Sequence, residues 1–466
     1  MLTIPFMTPP YIGSMGWILF MQHNGFLQQL IPSAAWMTDS FFSLFGMVVI
    51  MCLHLFPFLY LMLKNTLLRI NGSFLDAALI FGRSSSQNWL KVVLPLLFSS
   101  YVLGSLLIFI KTLAEFGTPA TFGSRIGFQV FTTEIHSYLS RWPVDIRMAT
   151  SLSLFLLSVC LVIWYFQNLI GRKYTYGVLS GKTPARREIK DKWYIKTASW
   201  TFVGLVVLLS IGIPYFSIIV TSLQKVRGGD GLQAGNFSLA SYQEVFTSGS
   251  AGLTAFLNSL VFSIMTALIT AIIGLFIALY IKKGETRKQQ ILDFFSLMPN
   301  IIPGIVFVVG LIMFWNAPWL PATIYNTKAM VVVTYCVLFL PYSVQYIKSS
   351  FSQLDASIFQ SAAIFGRSNM AVYRRIILPL LMQGILTGMM MTFIISMREL
   401  VAGLLILPPS VETGGATFIY SQFEQGNVGG WDGSSCYNRP YDSYFYVPIR
   451  LAAKTRRAGQ CLVLKF

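Results

Sequence analysis

Two glutamates and one arginine beside long apolar stretches are the residues of this sequence best placed for chemistry. Glu115 follows one such stretch, and Arg398 and Glu399 lie near the end of another, with the two glutamates 284 positions apart. If these stretches cross a bilayer, ionisable groups there are costly, and they tend to line a substrate path or to pair with each other. Glu115, Arg398 and Glu399 are therefore candidates for a pore or gate. The alternative is a charge that reaches solvent at the membrane surface or pairs locally.

Patterns typical of catalysis or of a resident metal are not found in the sequence. The three histidines are isolated, and the five cysteines form no Cys-x-x-Cys pair. Residues 177–183 are similar to a phosphate-binding loop, but Gly177 lies one residue too close to Gly181, and no α/β domain is predicted around them. We therefore predict no catalytic residue, no bound metal, no cofactor, and no ATP hydrolysis by this chain itself.

Composition indicates the class of protein. Of 466 residues, 55% are hydrophobic and 11% charged, and the mean hydropathy is +0.64, whereas soluble domains carry roughly 25% charged residues. Because the polar residues are too few to cover a soluble surface, soluble enzymes, disordered proteins and disulfide scaffolds are excluded. We predict an all-α, polytopic membrane protein. Nine apolar stretches are long enough to span a bilayer: residues 2–21, 41–63, 96–113, 150–170, 197–221, 256–281, 291–315, 329–347 and 379–405.

Basic residues predict the orientation and account for much of the net charge of +17. The segments 64–95, 172–196, 282–290 and 348–378 hold 20 lysines and arginines, against 6 in the segments on the other side of the predicted spans. Cytoplasmic loops of membrane proteins are enriched in lysine and arginine, so these four segments are predicted to be cytoplasmic. The charge needs no nucleic-acid partner, and none is predicted.

An internal repeat divides the chain into two homologous halves. Ile-Phe-Gly-Arg-Ser at residues 80–84 recurs at 364–368, and Leu-Pro-Leu-Leu at 94–97 recurs at 378–381, both at an offset of 284. Each copy lies in a predicted cytoplasmic segment, where the glycine allows a turn. A short helix present twice on one face of the membrane predicts docking to a two-fold partner. The alternative for each copy is an ordinary interfacial helix.

The repeated segment resembles the EAA loop of type-1 ABC-transporter permeases, in which Glu-Ala-Ala is followed at fixed spacing by Gly and by Leu-Pro. The matching residues are Asp76, Ala77, Ala78, Gly82 and Pro95 in the first copy, and Gln360, Ser361, Ala362, Gly366 and Pro379 in the second. Gly and Leu-Pro are present in both copies, whereas the acidic first residue becomes glutamine in the second. The resemblance covers nearly all of residues 1–429.

This resemblance implies a function and a set of partners. In the family, each loop inserts as a coupling helix into a cytoplasmic ATP-hydrolysing subunit, and a separate extracytoplasmic protein delivers the substrate. We therefore expect two copies of an ATPase subunit, a substrate-binding protein and the lipid bilayer as partners. The expected location is a bacterial inner membrane, and the ten matching residues are expected to couple the permease to the ATPase.

The fused halves, together with residues 113–119 and 131–135, look like the ferric-iron permeases in particular. Iron(III) is therefore the expected substrate, with thiamine, polyamine, sulfate and phosphonate as alternatives. A membrane-embedded enzyme would need catalytic groups that the sequence does not contain. An ATPase-independent secondary transporter or channel is the alternative from another class, but such proteins often have inverted repeats, whereas both loops here are predicted on one side.

The repeat also predicts the domain boundaries. They are a first half at 1–171 with its coupling loop at 64–95, a basic cytoplasmic linker at 172–196, a second half at 197–429 with its loop at 348–378, and an aberrant tail at 430–466. Twelve spans are expected for the family against nine found, and composition changes abruptly after residue 429. We therefore expect an N-truncated first half and a frameshifted tail, a hypothesis that an in-frame relative encoding the same tail would contradict.

Overall fold

A computed structural model shows a helical molecule. It describes residues 2, 4–70, 87, 89–173, 193–225, 232–247, 249–281, 286–354, 372–408, 411 and 414–425. These residues lie within one compact unit, Met1–Gly430. Across these ranges the backbone is helical apart from turns, and its β-structure is limited to an isolated bridge between Gln224 and Phe237. The prediction of an all-α fold is confirmed.

The α-helices of the described ranges are numbered here in chain order. They are α1 Ile4–Met7, α2 Pro10–Met21, α3 Phe26–Leu30, α4 Ala35–Phe41, α5 Leu44–Arg69, α6 Leu94–Leu113, α7 Gly117–Thr121, α8 Phe131–Ser140, α9 Ile146–Lys173, α10 Trp193–Val207, α11 Ile213–Leu223, α12 Ala240–Val245, α13 Ala251–Ile281, α14 Arg287–Leu297, α15 Gly304–Trp315, α16 Lys328–Ser352, α17 Leu378–Met397, α18 Val401–Ile406 and α19 Gly415–Glu424.

The sequence repeat extends to the whole architecture. From α5 to α8, each helix of the first half has a counterpart in the second half that begins 284 residues later. Helices α6 and α17 both have 20 residues, and α8 and α19 both have 10. Helices α2 and α15 both have 12 residues, and each follows a proline in an extended conformation, Pro9 or Pro303. The two halves therefore share one fold.

Three π-helical turns each lie just before a proline, which explains their wider geometry. They are Trp89–Val93, Leu208–Gly212 and Tyr373–Ile377. The second residue of the helix that follows each turn is a proline: Pro95, Pro214 and Pro379. Proline cannot donate a hydrogen bond to the carbonyl four residues earlier, and its ring crowds that carbonyl. A wider turn relieves this crowding, so the helix continues through the proline.

The number of membrane spans is smaller than predicted. Within the described residues, seven helices are long and apolar enough to cross a membrane, or eight if one bent pair counts as a span. The predicted span at 2–21 is divided into α1 and α2, and the one at 291–315 bends by 110° between α14 and α15. Pro9 and Pro303 lie at these breaks in extended conformations. The two predicted stretches that are not single straight helices are therefore the two that proline interrupts.

Small residues let the helices of the second half approach closely. Fully buried Ser343 of α16 donates a hydrogen bond to the Thr270 hydroxyl of α13 at 3.2 Å and is hydrogen-bonded to Thr392 of α17 at 3.1 Å. A Cβ added to Gly274 or Gly388 would lie 3.1 Å from Ser343. Helices in lipid associate through such small residues and hydroxyl hydrogen bonds, so Ser343 holds three helices together.

The two halves interlock through helices that cross between them. Helix α11 of the second half packs on α2 of the first, where Pro214 lies so close to Gly16 that an added Cβ would be 2.6 Å away. In the other direction, the Trp164 ring of α9 lies 5.6 Å from the Phe294 ring of α14. The largest buried apolar cluster accordingly includes residues of α2, α5, α8 and α9 together with α15 and α19.

An ion pair ties the bent segment to a spanning helix. Lys348 Nζ of α16 lies 2.7 Å and 2.6 Å from the two carboxylate oxygens of Asp293 in α14. The two side chains are 43% and 29% exposed, so solvent screens the pair. Pairs of this kind contribute about 0.2–1 kcal/mol.

Replacing either partner of this pair is expected to have a small effect. Lys348→Met and Asp293→Asn should each lower the free energy of unfolding by no more than ~1 kcal/mol. The double variant should lose less than the two single losses combined, because the second change removes a partner already lost. Thermal unfolding in detergent measures this, with Lys328→Met on the exposed start of α16 as control. Strictly additive losses would show that the pair does not stabilise the bend.

Candidate functional site

Glu115 and Glu399 make the same hydrogen bond in the two halves. Oε1 of Glu115 accepts the N–H of Thr118 at 3.1 Å, and Oε1 of Glu399 accepts the N–H of Ala402 at 3.1 Å. Each carboxylate thereby satisfies an N–H of the first turn of a short helix, α7 or α18, which would otherwise have no helical partner. The two glutamates are therefore equivalent in structure as well as in sequence.

Arg398 joins the two halves at this place. Its Nη1 donates to the carbonyl oxygen of Thr8 at 3.3 Å. Its charge interacts with the carboxylates of both Glu115 and Glu399, and with Tyr11. Counterparts of Arg398 and Tyr11 in the other half are Ala114 and Ile305, so the arrangement is not symmetric. Together with one further tyrosine these residues form the charged cluster: Tyr11, Glu115, Tyr335, Arg398 and Glu399.

The two tyrosines of the charged cluster are absent from the sequence-based prediction. A Cβ on Gly117 would lie 3.0 Å from the backbone nitrogen of Tyr11 and 3.3 Å from Oε1 of Glu115, so this glycine lets α2 touch α7 beside the carboxylate. Tyr335 of α16 interacts electrostatically with Glu399 and Tyr11. Both tyrosines lie in otherwise apolar helices, where only the helix crossings reveal their neighbours. No sequence pattern could have found them.

The charged cluster contains groups that bind or exclude ions. It holds two carboxylates, one guanidinium and two phenols, and the three charged side chains are partly exposed. Carboxylate and phenol oxygens suit hard cations, and a guanidinium suits anions. Among the described residues, no group of three or more His, Cys, Asp or Glu side chains could hold a metal ion.

Most of the predicted coupling residues lie outside the described residues. They are Asp76, Ala77, Ala78, Gly82, Gln360, Ser361, Ala362 and Gly366, and the same holds for most of the linker 172–196 and for the tail 430–466. Pro95 and Pro379 are described, at the second residue of α6 and α17. Each of these helices has 20 residues, or about 30 Å. Their other ends lead directly to Glu115 and Arg398.

A second polar group lies outside the spans, on α8 and α19. The Tyr420 hydroxyl donates a hydrogen bond to Oε1 of Glu424 at 2.6 Å, and Ser140 is hydrogen-bonded to Nε2 of His136 at 3.1 Å. Burial, and then the hydrogen bond to Glu424, raise the pKa of Tyr420. Burial lowers the pKa of His136. Both side chains are therefore neutral at pH 7.

Comparisons with known proteins agree with this architecture. Residues 270–431 match the family described as binding-protein-dependent transport system inner membrane component. The ferric transport system permease protein FbpB of Actinobacillus pleuropneumoniae is 23% identical over 432 residues, covering 91% of this chain and 61% of that protein. The Fe(3+)-transport system permease protein FbpB 2 of Haemophilus influenzae is 25% identical over 426 residues, covering 88% of this chain and 74% of that protein.

A permease named for another substrate matches a shorter part of the chain. The molybdenum transport system permease protein ModB of Mycobacterium tuberculosis is 28% identical over 164 residues, 35% of this chain and 61% of that protein. This chain spans about three fifths of the length of the Actinobacillus relative. Residues 270–431 thus match the family described as the inner-membrane component of binding-protein-dependent transport systems, and over most of its length the chain is similar to ferric transport system permease proteins.

Proposed function

We propose that this chain is the membrane-spanning permease of an ATP-driven importer for iron(III) in a bacterial inner membrane. It receives the substrate from an extracytoplasmic binding protein and is driven by two copies of a cytoplasmic ATPase subunit. The observation that carries this proposal is the similarity to ferric permeases over most of the chain. The equal helix bounds of the two halves support the two-fold ATPase partner.

The charged cluster is the proposed gate of this permease. Glu115 belongs to one half, Arg398 and Glu399 belong to the other, and Arg398 donates a hydrogen bond to the Thr8 carbonyl of the first half. Movement of the halves relative to each other must therefore change these contacts. Helices α6 and α17 run from the proposed coupling loops to the cluster, so they can carry a displacement at the loops to the gate as rigid rods.

Bulky substitutions in the loops test the coupling to ATP hydrolysis. Gly82→Trp and Gly366→Trp should abolish substrate-stimulated ATP hydrolysis by the reconstituted complex while leaving membrane insertion intact, because tryptophan blocks the turn that glycine allows. Gly204→Trp in α10 is the matched control, since nothing lies within 4 Å of a Cβ at that position. Unchanged stimulation in both loop variants would contradict the proposed coupling sites.

Uptake by the complete complex tests the substrate. Proteoliposomes holding this chain, its ATPase and its binding protein should accumulate radioactive iron(III) only when ATP is supplied inside. Molybdate and sulfate are the comparison solutes, because relatives named for these substrates match about a third of the chain. Uptake of either oxyanion in place of iron would overturn the assignment to iron. Iron uptake that needs no ATP would instead favour a secondary transporter or channel.

A further inference from the structure

A cavity at the outer side of the molecule lies apart from the charged cluster. It has a volume of about 230 Å³ and is lined by residues of α7, α8 and α19. By the distribution of basic residues, these helices lie on the extracytoplasmic side. Helices α8 and α19 are counterparts in the repeat, so the two halves meet at this place. We call it the outer cavity.

Four polar side chains of the outer cavity are related by the repeat. His136 and Ser140 of α8 occupy the same positions as Tyr420 and Glu424 of α19, at the offset of 284. Within each helix the two residues are four apart and hydrogen-bonded, at 3.1 Å in α8 and at 2.6 Å in α19. All four line the one cavity. The repeat thus places two hydrogen-bonded pairs of different chemistry around a common space.

The outer cavity has a buried end and an open end. Tyr420 is 6% exposed, and the buried Phe116 ring lies 5.2 Å from the His136 ring and 6.5 Å from the Tyr420 ring. Glu424 and Ser140 are exposed and lie at the open end. Phe116 follows Glu115 in sequence, so a residue at the buried end of the cavity is the chain neighbour of one carboxylate of the charged cluster.

The donors of the outer cavity suit a hard metal cation. A phenol, a carboxylate and a hydroxyl offer oxygen, and an imidazole offers nitrogen, all of which ligate iron in proteins. The exposed Arg141 lies at the rim and adds one positive charge. The volume of about 230 Å³ exceeds the ~30 Å³ of one water several times, so an ion with part of its water shell fits.

We propose that the outer cavity is a docking site where iron(III) is held by Tyr420, Glu424 and His136 before it passes to the charged cluster. The substrate identity rests on the proposed function. When the ion binds, the phenol of Tyr420 releases its proton to water and its oxygen bonds to the metal. Water molecules and the Ser140 hydroxyl complete the coordination.

Visible absorption tests this site without any transport. A phenolate bound to iron(III) gives a charge-transfer band in the visible range. Titration of the full chain in nanodiscs with ferric nitrilotriacetate should produce such a band, saturating at one iron per chain. Tyr420→Phe should abolish the band, and Glu424→Gln should weaken iron binding at least about tenfold, equivalent to ~1.4 kcal/mol. Tyr138→Phe, on α8 but outside the cavity lining, should leave both unchanged.

The outcomes separate the site from the substrate assignment. A band that persists in Tyr420→Phe, or a wild-type chain without a band, would overturn the site even if the complete complex imports iron. Uptake of an oxyanion instead of iron would overturn the proposed function. Equal thermal unfolding of wild type and Tyr420→Phe shows that loss of the band reports lost coordination. Loss of the band together with a raised KM for iron uptake would support the site.

Discussion

Gly16→Ala is expected to lower the free energy of unfolding by about 1–3 kcal/mol, the usual cost of inserting a methyl group into a packed contact. Its Cβ would lie 2.6 Å from both Cα and the carbonyl oxygen of Pro214. These are backbone atoms of a proline, which cannot move aside as a side-chain tip can. Because Gly16 lies on α2 and Pro214 on α11, the substitution forces the two halves apart.

Helix α2 offers a matched control for Gly16. A Cβ on Gly13, about one turn earlier, would have nothing within 4 Å. Alanine is favoured over glycine inside a helix by about 1 kcal/mol, so Gly13→Ala should be neutral or stabilising. Thermal unfolding of the two variants in detergent, followed by tryptophan fluorescence, compares them directly. Equal midpoints would contradict the close crossing of α2 and α11, and Gly16→Leu should amplify the loss if the crossing is correct.

Removing the charge of Glu399 is expected to reduce iron uptake by the complete complex at least about tenfold, or ~1.4 kcal/mol. Glu399→Gln keeps an oxygen that can accept the N–H of Ala402, but it removes the negative charge that faces Arg398. Arg398 then keeps the Glu115 carboxylate of the first half as its acidic partner in the cluster, so the balance of charge between the two halves changes and transport should slow. Glu115→Gln should act in the same direction, since Arg398 interacts electrostatically with that carboxylate too.

Two further variants separate the charge from the hydrogen bond. Glu399→Ala loses both, so it should also lower the stability by about 1 kcal/mol, as other lost helix caps do. Arg398→Gln combined with Glu399→Gln should lose less uptake than the two single losses combined, because both changes remove the same charge interaction. Glu244→Gln in α12, outside the charged cluster, is the control. Normal uptake by both single charge variants would show that the cluster is not a gate.

Several features of the protein could be read from local patterns in the chain. Composition was sufficient for the all-α membrane class, because a chain with so few charges cannot form a soluble surface. The offset of 284 predicted two equivalent halves, and it also placed Glu115 and Glu399 in matching positions. The membrane class was confirmed because hydropathy is a property of the chain that folding in a bilayer must respect.

The number of membrane spans shows what hydropathy does not predict, namely whether an apolar stretch forms one continuous helix. Apolar stretches predict length, but Pro9 and Pro303 interrupt two of them and produce short or bent helices. A hydropathy scale takes no account of the backbone N–H that proline lacks. At these two prolines the helix bends or ends where that hydrogen-bond donor is missing. The same prolines mark equivalent places in the two halves, so the interruption belongs to the shared architecture.

Contacts between the halves came from the tertiary structure alone. Tyr11 and Tyr335 lie at the charged cluster, and His136 and Tyr420 line one cavity beside Phe116, because helices distant in sequence cross at these points. The repeat relates His136 to Tyr420 by the offset of 284, but that spacing does not show that their two helices line a common cavity. Helix crossings depend on which small residues allow close approach, as Gly16 and Gly117 do. Local sequence therefore specifies the helices and their repeat, while packing between the halves selects the side chains that share a site.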